Sequence, residues 1–499
     1  MTDGFTLEAY RFGDKTQSAS DCPATNDKAP AGKLWSRQVA ADLIGGAEAV
    51  AVILGGLIPT IIYAGVGAVQ PNWPLVVQSA VVAALVYRLY LSSAGMYDTA
   101  RNHDFVVRPG SMLCALSVGI VAALGLGAPQ ALGIQNLLVW FGLWLSASYT
   151  GAVVVRTFAS DFIAAKTAEG RFDERIAVYG AGGIARRVHD YLVDPTLGLR
   201  FVGAYDSRGA PDRVNPEGLP IAGGLDDLIA ACQEGRIDRV IIALPQVAER
   251  RVRDISRRFE DLSVHVHIVT HLSTDFLGPN WTHKVSRLGP VGLMDVKTKQ
   301  HTGWAPIIKR TEDIVLGVVV VIVIAPLLPL IALAIKLDST GPVLFRQRRR
   351  GRNQRVFEVL KFRTMTVMED GDTVDQARTA DPRITRVGGF LRRSSLDELP
   401  QIWNVLMGDM SLVGPRPHAL VHDEKWGQLV ETYANRHQMK PGVTGLAQVN
   451  GYRGEMMGPD DIAGRVQHDL AYIRTWSPWL DIKILLWAVW AVVKGTNAK

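Results

Sequence analysis

Two long uncharged stretches dominate the first third of the chain. Residues 49–87 and residues 109–155 contain no Lys, Arg, Asp or Glu. The first stretch is divided by prolines at 71–74, and the second by glycine-, alanine- and proline-containing sequence at 125–133. Because a helix needs about 20 apolar residues to cross a bilayer, each stretch predicts a hairpin of two helices. The pattern therefore predicts a bundle of four transmembrane helices over residues 39–158.

Basic residues flank this bundle on one side. Lys33 and Arg37 precede the first helix, Arg156 and Lys166 follow the fourth, and further arginines lie in the connection between the two hairpins. The hairpin turns themselves carry no charge. Because Lys and Arg collect on the cytoplasmic side, we expect both ends of the bundle in the cytoplasm. A buried core helix is the alternative for any single run, but four successive runs with this charge asymmetry favour the membrane.

Short β-rich runs alternate with helical stretches over residues 172–298, which predicts a small Rossmann-like parallel α/β domain. Gly180, Gly182 and Gly183 follow the first of these runs, and Asp206 follows the second. In a dinucleotide site such glycines let the backbone approach a pyrophosphate, while the acid binds a ribose hydroxyl. Tight strand-to-helix turns use the same glycines without a ligand, so the sequence leaves nucleotide binding open.

A fifth apolar segment, residues 314–335, is long enough to cross a bilayer but has basic residues before and after it. The positive-inside rule therefore places both of its ends in the cytoplasm. Pro326 and Pro329 lie near its middle, where proline removes helical hydrogen bonds and kinks the chain. These features predict a re-entrant helix over residues 312–337. The alternative is a proline-kinked transmembrane helix, which would carry the remaining residues to the outside.

Composition excludes several classes of protein. With 499 residues the chain predicts about three domains, and 48% hydrophobic residues exclude disorder of the whole. Only the polar tail, residues 1–38, is expected to be disordered, and it contains no signal peptide.

Three cysteines give neither a disulfide framework nor a zinc pattern. The net charge of +6 is concentrated in residues 341–365, and such a basic run suits anionic lipid, nucleic acid or a phosphorylated substrate.

Polar motifs within and after this basic run carry the candidate chemistry. Their candidate residues are Lys361, Arg363, Arg392, Arg393, Asp397, Glu398, Arg416, Gln448 and Asn450. A guanidinium between two prolines, as at Arg416, suits bidentate phosphate recognition. Backbone amides between glycines, as near Gln448, suit contacts to a base or a sugar. A solvated basic stripe, a plain turn and a plain loop are the alternatives.

Asp397 and Glu398 have two interpretations. Ser395 with Glu398 three residues later matches a capping box, which indicates a helix N-terminus and no chemistry. Pro400 favours a helix that begins at Asp397 instead, because proline is tolerated in the first turn. Adjacent acids on a helix point about 100° apart, so they suit two separate tasks. One of them can attack phosphorus while the other holds a metal.

A series of short motifs follows in order from Lys309 onward. Among them are Lys361-Phe-Arg363-Thr-Met, Leu391-Arg-Arg-Ser-Ser-Leu-Asp397-Glu398-Leu-Pro-Gln and Gly414-Pro-Arg416-Pro. Over residues 305–499 this series resembles the bacterial sugar transferase family, the polyprenyl-phosphate hexose-1-phosphate transferases. The preceding bundle and α/β domain resemble the long members of that family, notably the undecaprenyl-phosphate glucose phosphotransferases of exopolysaccharide synthesis.

The resemblance implies a monotopic transferase domain with a re-entrant helix and interfacial amphipathic helices, one of them the tryptophan-rich segment 476–494. It implies transfer of a hexose-1-phosphate, glucose in preference to galactose, from a UDP-sugar to undecaprenyl phosphate with release of UMP. Asp397 would form a covalent phosphosugar intermediate, and Glu398 with Asp397 would hold Mg²⁺. Asp469 matches a further acidic position of the family. The cations that would neutralise the pyrophosphate are Lys361, Arg393 and Arg416.

The resemblance also implies partners and a location. The lipid bilayer, a second copy of the chain and other polysaccharide assembly enzymes are the expected macromolecular partners, and nucleic acid is not. The expected location is the bacterial inner membrane, with the active site on the cytoplasmic face. Two other functions remain open, namely a sugar-nucleotide oxidoreductase in the α/β domain and a non-enzymatic membrane scaffold whose α/β domain senses a nucleotide. The α/β domain has no second Rossmann half and no Tyr-x-x-x-Lys catalytic pair, which counts against the oxidoreductase.

Overall fold

A computed structural model describes most of the chain outside the N-terminal tail. The described residues are 36–67, 70–97, 107–125, 137–168, 173–192, 199–207, 219, 221–244, 249–270, 285–288, 291–297, 299, 301–366, 381–452 and 458–494. Most of the predicted polar tail, and the predicted turn from residue 126 to 133, lie outside the described residues.

The first part of the fold consists of packed apolar helices. They are α1 (Arg37–Gly65), α2 (Trp73–Ser93), α3 (Pro109–Gly125) and α4 (Leu137–Ala168). Among the described residues α1, α2 and α4 are long and apolar enough to cross a membrane, whereas α3 has 17 residues. Ala80, Leu116 and Trp144 lie in the core between the helices. Membrane helices are thus confirmed in this region, and crossing by α3 stays a prediction.

A buried ion pair that the sequence pattern did not indicate joins α1 to α4. The Arg156 guanidinium donates to both carboxylate oxygens of Glu48, at 2.6 and 3.2 Å, and neither side chain is exposed (0%). The Tyr97 hydroxyl donates to the same carboxylate. Glu48 immediately precedes the first uncharged stretch, which begins at residue 49, so the stretch itself did not reveal this charge. Charges inside a membrane bundle are costly unless paired, so the pair fixes α1 against α4.

The second part is an α/β domain. Its elements are β1 (Glu174–Tyr179), α5 (Gly183–Leu192), β2 (Leu199–Tyr205), β3 (Ile221–Gly223), α6 (Leu225–Gln233), β4 (Arg239–Ile242), α7 (Glu249–Arg257), β5 (His265–Thr270), β6 (Val285–Leu288) and β7 (Val291–Lys297). The strand order is β3-β2-β1-β4-β5-β7-β6. Strands β1 to β5 pair in parallel, which confirms the predicted parallel sheet, while β7 and β6 add an antiparallel edge that was not predicted.

The third part combines a bent helix pair with short strands and helices. Its elements are α8 (Ala305–Ile324), α9 (Leu327–Asp338), β8 (Leu344–Arg350), β9 (Val356–Phe362), α10 (Arg386–Ser394), α11 (Gln401–Met407), β10 (Ser411–Val413), α12 (Leu420–Leu429), β11 (Gly442–Thr444), α13 (Leu446–Val449), α14 (Pro459–Thr475) and α15 (Pro478–Lys494), with 3₁₀ turns at Arg352–Gln354, Leu396–Glu398 and Tyr433–Gln438. Strands β8 and β9 form an antiparallel hairpin, and β10 pairs with β11 in parallel.

The bent helix pair is attached at both ends to neighbouring helices of the same domain. Near its start, Arg310 donates to the carbonyl oxygens of Val405 and Leu406, at 2.6 and 2.7 Å. At its end, the Asp338 carboxylate accepts from the backbone N–H of Val387 at 2.9 Å. Pro326 caps α9, and the axes of α8 and α9 differ by 59° at this break. The proline-broken segment is therefore present, and its ends meet the same group of helices and strands.

The tip of the β8–β9 hairpin contacts the α/β domain. Asn353 accepts a hydrogen bond from the backbone N–H of Ser263 at 2.8 Å, and Arg352 donates to the Ser263 hydroxyl at 2.8 Å. Gln354 donates to the Asp261 carboxylate. Asn353 and Gln354 adopt left-handed backbone conformations, with φ of 55° and 61°. The hairpin thus joins the α/β domain to the strand that ends near Lys361.

Candidate active site

The two adjacent acids lie in a tight turn between two helices. Helix α10 ends at Ser394, and Ser395 adopts a left-handed conformation with φ of 60°. The turn Leu396–Glu398 follows, and Pro400 directly precedes α11. The capping-box interpretation is wrong, because Ser395 terminates α10 and its side chain does not cap the next turn. A helix beginning at Asp397 is also not formed, because a single 3₁₀ turn separates α10 from α11.

Two cations bind the carboxylate of Glu398. Lys361, at the end of β9, donates to Oε1 at 2.8 Å. Arg416, after β10, donates to Oε1 at 2.5 Å and to Oε2 at 3.1 Å. Charge-assisted bidentate pairing is among the stronger hydrogen-bonded contacts in proteins. Three separate elements therefore bring Lys361, Arg416 and the acidic turn together, while binding of a phosphate by these two cations stays a prediction.

Helix α11 fixes the strand that carries Lys361. The Asn404 side chain accepts from the backbone N–H of Leu360 at 3.0 Å and donates to the carbonyl of Glu358 at 2.7 Å. A side-chain amide offers both a donor and an acceptor, so it can continue the hydrogen bonding of a strand edge. This contact sets the distance between β9 and the acidic turn, and no motif in the sequence indicated Asn404.

The two acids have opposite electrostatic environments. Burial raises the pKa of the Asp397 carboxyl above its ordinary value, although Lys361 opposes this shift. Burial would also raise the pKa of Glu398, but Arg416 and Lys361 together hold it well below its usual range. Among the described residues, none donates a hydrogen bond to Asp397. Asp397 is thus the carboxylate of the pair that is open to a ligand.

The other predicted arginines lie at the edge of this cluster or away from it. Arg392 and Arg393 are exposed on α10, and the charge of Arg392 opposes the raised pKa of Asp397. Arg363 is buried and does not reach the acids. Its guanidinium donates to the carbonyl oxygens of Ser339 and Thr340, at 2.6 and 2.5 Å. Arg363 therefore binds the chain after α9, because β9 ends at residue 362 and the chain turns there.

The glycine-rich motif serves contact between two protein loops. A Cβ atom at Gly442 would lie 2.1 Å from the backbone nitrogen of Gly414, so only glycine permits β11 to pass beside β10. Gln448 is buried on α13, and its Oε1 has no hydrogen-bond partner among the described residues. Asn450 is exposed and donates to the carbonyl of Leu446 at 2.7 Å. Contact of Gln448 or Asn450 with a base or sugar stays a prediction.

Arg349 is a site residue that sequence reasoning missed. It lies on β8, donates to the carbonyl of Pro417 and binds the Gln347 side chain at 2.6 Å. Burial, with the nearby charge of Arg416, lowers the pKa of Arg349 to about 10. Its only signal was membership of the basic run, which does not distinguish it from the exposed Arg348 beside it.

The glycines of the α/β domain are placed at the turn after β1. Gly180 has φ of 124°, and a Cβ atom there would lie 2.5 Å from the carbonyl oxygen of Ala243. Gly182 faces open space, Gly183 begins α5, and Asp206 is buried after β2. Close packing of β1 against β4 therefore explains Gly180 without a ligand. Nucleotide binding at this turn stays a prediction.

Comparison with known proteins agrees with the motifs. A family model described as bacterial sugar transferase matches residues 304–495, and one described as CoA-binding domain matches residues 92–270. The UDP-glucose:undecaprenyl-phosphate glucose-1-phosphate transferase of Xanthomonas campestris pv. campestris is 39% identical over 355 residues, which cover 70% of this chain and 72% of that protein. The chain belongs to the bacterial sugar transferase family.

Other relatives extend this match over more of the chain. The UDP-glucose:undecaprenyl-phosphate glucose-1-phosphate transferase of Escherichia coli (strain K12) is 36% identical over 411 residues, covering 82% of this chain and 87% of that protein. The undecaprenyl-phosphate glucose phosphotransferase of Komagataeibacter xylinus is 39% identical over 362 residues, covering 71% of this chain and 66% of that protein. The resemblance seen in the sequence is confirmed, and the cluster around Glu398 lies within the part matched by the bacterial sugar transferase model.

Proposed function

We propose that this bacterial sugar transferase moves glucose-1-phosphate from UDP-glucose to undecaprenyl phosphate and releases UMP. The observation that carries this is the turn in which Asp397 is open while Glu398 is bound by Lys361 and Arg416. The activity named for the relatives from Xanthomonas campestris pv. campestris and Escherichia coli (strain K12) supports glucose as the sugar. Galactose-1-phosphate transfer and a non-enzymatic scaffold are the alternatives that the experiment below separates.

The first proposed step is attack by Asp397. A carboxylate oxygen of Asp397 forms a bond to the phosphorus that carries the sugar, and the bond from this phosphorus to the bridging oxygen breaks. UMP leaves with the bridging oxygen and its electron pair, and the sugar phosphate remains on Asp397 as an acyl phosphate. Lys361 and Arg416, which bind the adjacent Glu398, would neutralise the phosphate oxygens as charge moves to UMP.

The second proposed step returns the carboxylate. A phosphate oxygen of undecaprenyl phosphate attacks the same phosphorus, and the bond between phosphorus and Asp397 breaks. Undecaprenyl-diphosphate-glucose is formed, and Asp397 regains its negative charge. Two displacements let a water-soluble nucleotide and a lipid use one site in turn, so the two substrates need not be bound together.

We propose Mg²⁺ as the cofactor of this site. Among the described residues no group of three or more His, Cys, Asp or Glu side chains is placed to hold a metal. Mg²⁺ is commonly held by one or two carboxylates, with water and substrate phosphates completing its shell. Asp397 would be the main ligand, because Oε1 of Glu398 already accepts from Lys361 and Arg416, and Oε2, which accepts only from Arg416, keeps one lone pair for a metal. When bound it would supply positive charge to the pyrophosphate.

We also propose that α8 and α9 form a re-entrant helix at the cytoplasmic face of the inner membrane. Contacts at Arg310 and at Asp338 tie the two ends of the pair to α11 and α10, which are joined by the short acidic turn, so both ends would lie on the same side of a bilayer. Ile322 and Leu330, on either side of the break, are exposed and suit lipid. The positions of Lys and Arg around the bundle support the cytoplasmic side and a crossing by α3.

Helix α15 is proposed to lie on the membrane surface. Its inner face buries Ile484 in the transferase core, while Trp479, Trp487 and Trp490 are exposed. Indole side chains favour the membrane interface, and α15 starts beside the N-terminus of α8, where Lys309 donates to Asp481 at 2.7 Å. A homodimer and contacts with other assembly enzymes remain predictions.

Release of UMP tests the proposed function. We expect the lipid-embedded protein with Mg²⁺ to release UMP from UDP-glucose, and to transfer the sugar phosphate only when undecaprenyl phosphate is present. UDP-galactose in the same assay distinguishes the second sugar. No release with any UDP-sugar would contradict the transferase and favour the scaffold.

The pH profile tests the assignment of the two acids. The pKa of Asp397 is raised, so its ionised form is lost at a higher pH than that of an ordinary aspartate as pH falls, whereas the lowered pKa of Glu398 keeps that carboxylate ionised to lower pH. We expect the acid limb of kcat/KM for UMP release above the ordinary aspartate range. Arg392→Gln removes a charge that lowers this pKa and should move the limb to higher pH. An unmoved limb would assign it to another group.

A further inference from the structure

A buried ion pair lies behind the loop that carries Arg416. Arg436, in the 3₁₀ turn Tyr433–Gln438, donates to the Asp469 carboxylate of α14 at 2.7 Å. Both side chains are almost fully buried, with 2% exposed. A buried charge is tolerated when it is paired and hydrogen-bonded, so Asp469 is the group that permits a guanidinium at this position.

The same guanidinium nitrogen of Arg436 reaches the active-site loop. Its Nη2 donates to the backbone carbonyl of Arg416 at 2.6 Å. On the other side of the loop, Arg349 donates to the carbonyl of Pro417. Buried Arg436 and half-buried Arg349 therefore hold consecutive carbonyl groups, and the Arg416 side chain binds Glu398 from this anchored backbone. Bidentate recognition depends on orientation, so an anchored backbone matters more for Arg416 than for a flexible cation.

The other described groups around Arg436 do not offer a negative charge in direct contact with its guanidinium, so the Asp469 carboxylate is needed to pair it. Its other nitrogen, Nη1, contacts the His418 ring and donates to the Tyr433 hydroxyl at 3.1 Å. Arg465 contacts the opposite nitrogen of the His418 ring at 3.2 Å. Burial and the adjacent arginines hold the pKa of His418 well below its usual range, so this ring stays neutral. Among the described residues, Asp469 is the carboxylate that accepts a hydrogen bond from Arg436, whereas the buried Asp423 reaches Arg436 only through the Tyr433 hydroxyl.

We propose that Asp469 and Arg436 are positioning residues that act on transfer through the backbone of Arg416. This inference rests on the proposed function of the Asp397–Glu398 site. Asp469 contacts neither of those acids in the described residues, and its Oδ2 is occupied by Arg436. The proposed role of Asp469 therefore requires neither metal binding nor proton transfer by this residue.

A double-mutant cycle between Asp469 and Arg416 tests the proposal. The variants are Asp469→Asn, Arg416→Lys and the pair together, with kcat and KM for UMP release measured in lipid. We expect each single change to lower kcat/KM by about tenfold or more, and the double variant to be no worse than Arg416→Lys within about twofold. Effects that multiply would overturn the proposal, because residues that act independently add in free energy.

The dependence on Mg²⁺ separates positioning from metal binding. We expect wild-type protein and Asp469→Asn to reach half-maximal activity at the same Mg²⁺ concentration. A clear increase in that concentration for Asp469→Asn would assign the residue to the metal and overturn the proposal.

Asp481→Asn is the matched control. It changes a buried acid of the same domain, whose partners are Lys309, Tyr472 and Trp476, and it does not touch Arg416. We expect its effect to multiply with that of Arg416→Lys. If thermal melting shows that Asp469→Asn does not fold, Arg436→Lys replaces it in the cycle. Lysine keeps the positive charge but has fewer hydrogen-bond donors than arginine, so the same comparison with Arg416→Lys tests the proposal. An inactive wild-type protein would reject the proposed function, whereas an active one with multiplying effects would reject only this inference.

Discussion

Asp397→Asn should lower UMP release from UDP-glucose by more than about 1,000-fold, because the carboxamide keeps the shape of the side chain but is not a nucleophile. The fold should be unchanged, since the Glu398 contacts to Lys361 and Arg416 do not involve Asp397. The measurement is UMP release in lipid with Mg²⁺. Asp409→Asn, which changes an exposed aspartate of the same domain, is the matched control and should keep full activity.

Mass spectrometry gives a second result for the same position. With UDP-glucose and without the lipid acceptor, the wild-type protein should gain one hexose phosphate on the peptide that contains Asp397. Addition of undecaprenyl phosphate should remove that mass. A variant Asp397→Asn that retains substantial activity, or a label on another residue, would reject Asp397 as the nucleophile.

Removal of Arg156 should have the largest effect on stability. Arg156→Ala leaves the Glu48 carboxylate buried without its cation, and we expect a loss of about 3–5 kcal/mol in the free energy of unfolding. Replacing both residues, as Glu48→Leu with Arg156→Met, should recover most of this loss because no charge remains buried. Thermal melting in detergent is the measurement.

The exposed pair of Arg88 and Asp42 in the same bundle provides the control. Its atoms are 3.5 Å apart and both side chains are well exposed, so Arg88→Ala should cost less than about 1 kcal/mol. Equal losses in the free energy of unfolding for Arg156→Ala and Arg88→Ala would show that the buried pair of Glu48 and Arg156 contributes no more to stability than an exposed pair.

Hydrophobic patterning and motif order predicted the parts of the structure that depend on local sequence. The uncharged stretches gave the long helices, and the alternation after residue 172 gave the parallel sheet. Contacts between distant segments were harder to predict, because spacing says nothing about which loops meet. Glu48 and Arg156 are 108 residues apart, and Asn404 fixes a strand 44 residues before it.

The site shows the same division between local and distant information. Lys361 and Arg363 are two residues apart, which places both on one face of an extended strand. Only Lys361 reaches the acids, because β9 ends at residue 362 and Arg363 turns to the carbonyls after α9. Likewise, the residues around Asp397 favoured a helix start, whereas tertiary packing holds Ser395 in a left-handed conformation that local propensity does not predict.

Docking of the β8–β9 tip into the α/β domain affects how the protein can be divided. A fragment beginning at Ala305 would keep the acidic turn and both of its cations, but it would lose Ser263 and Asp261. Asn353 would then lose its partners Ser263 and Cys232, and Gln354 would keep its contact with Arg350 but lose Asp261. We expect the two strands to fray from that end towards Lys361. The α/β domain thus stabilises the strand that ends in the active site, whether or not the domain binds a ligand of its own.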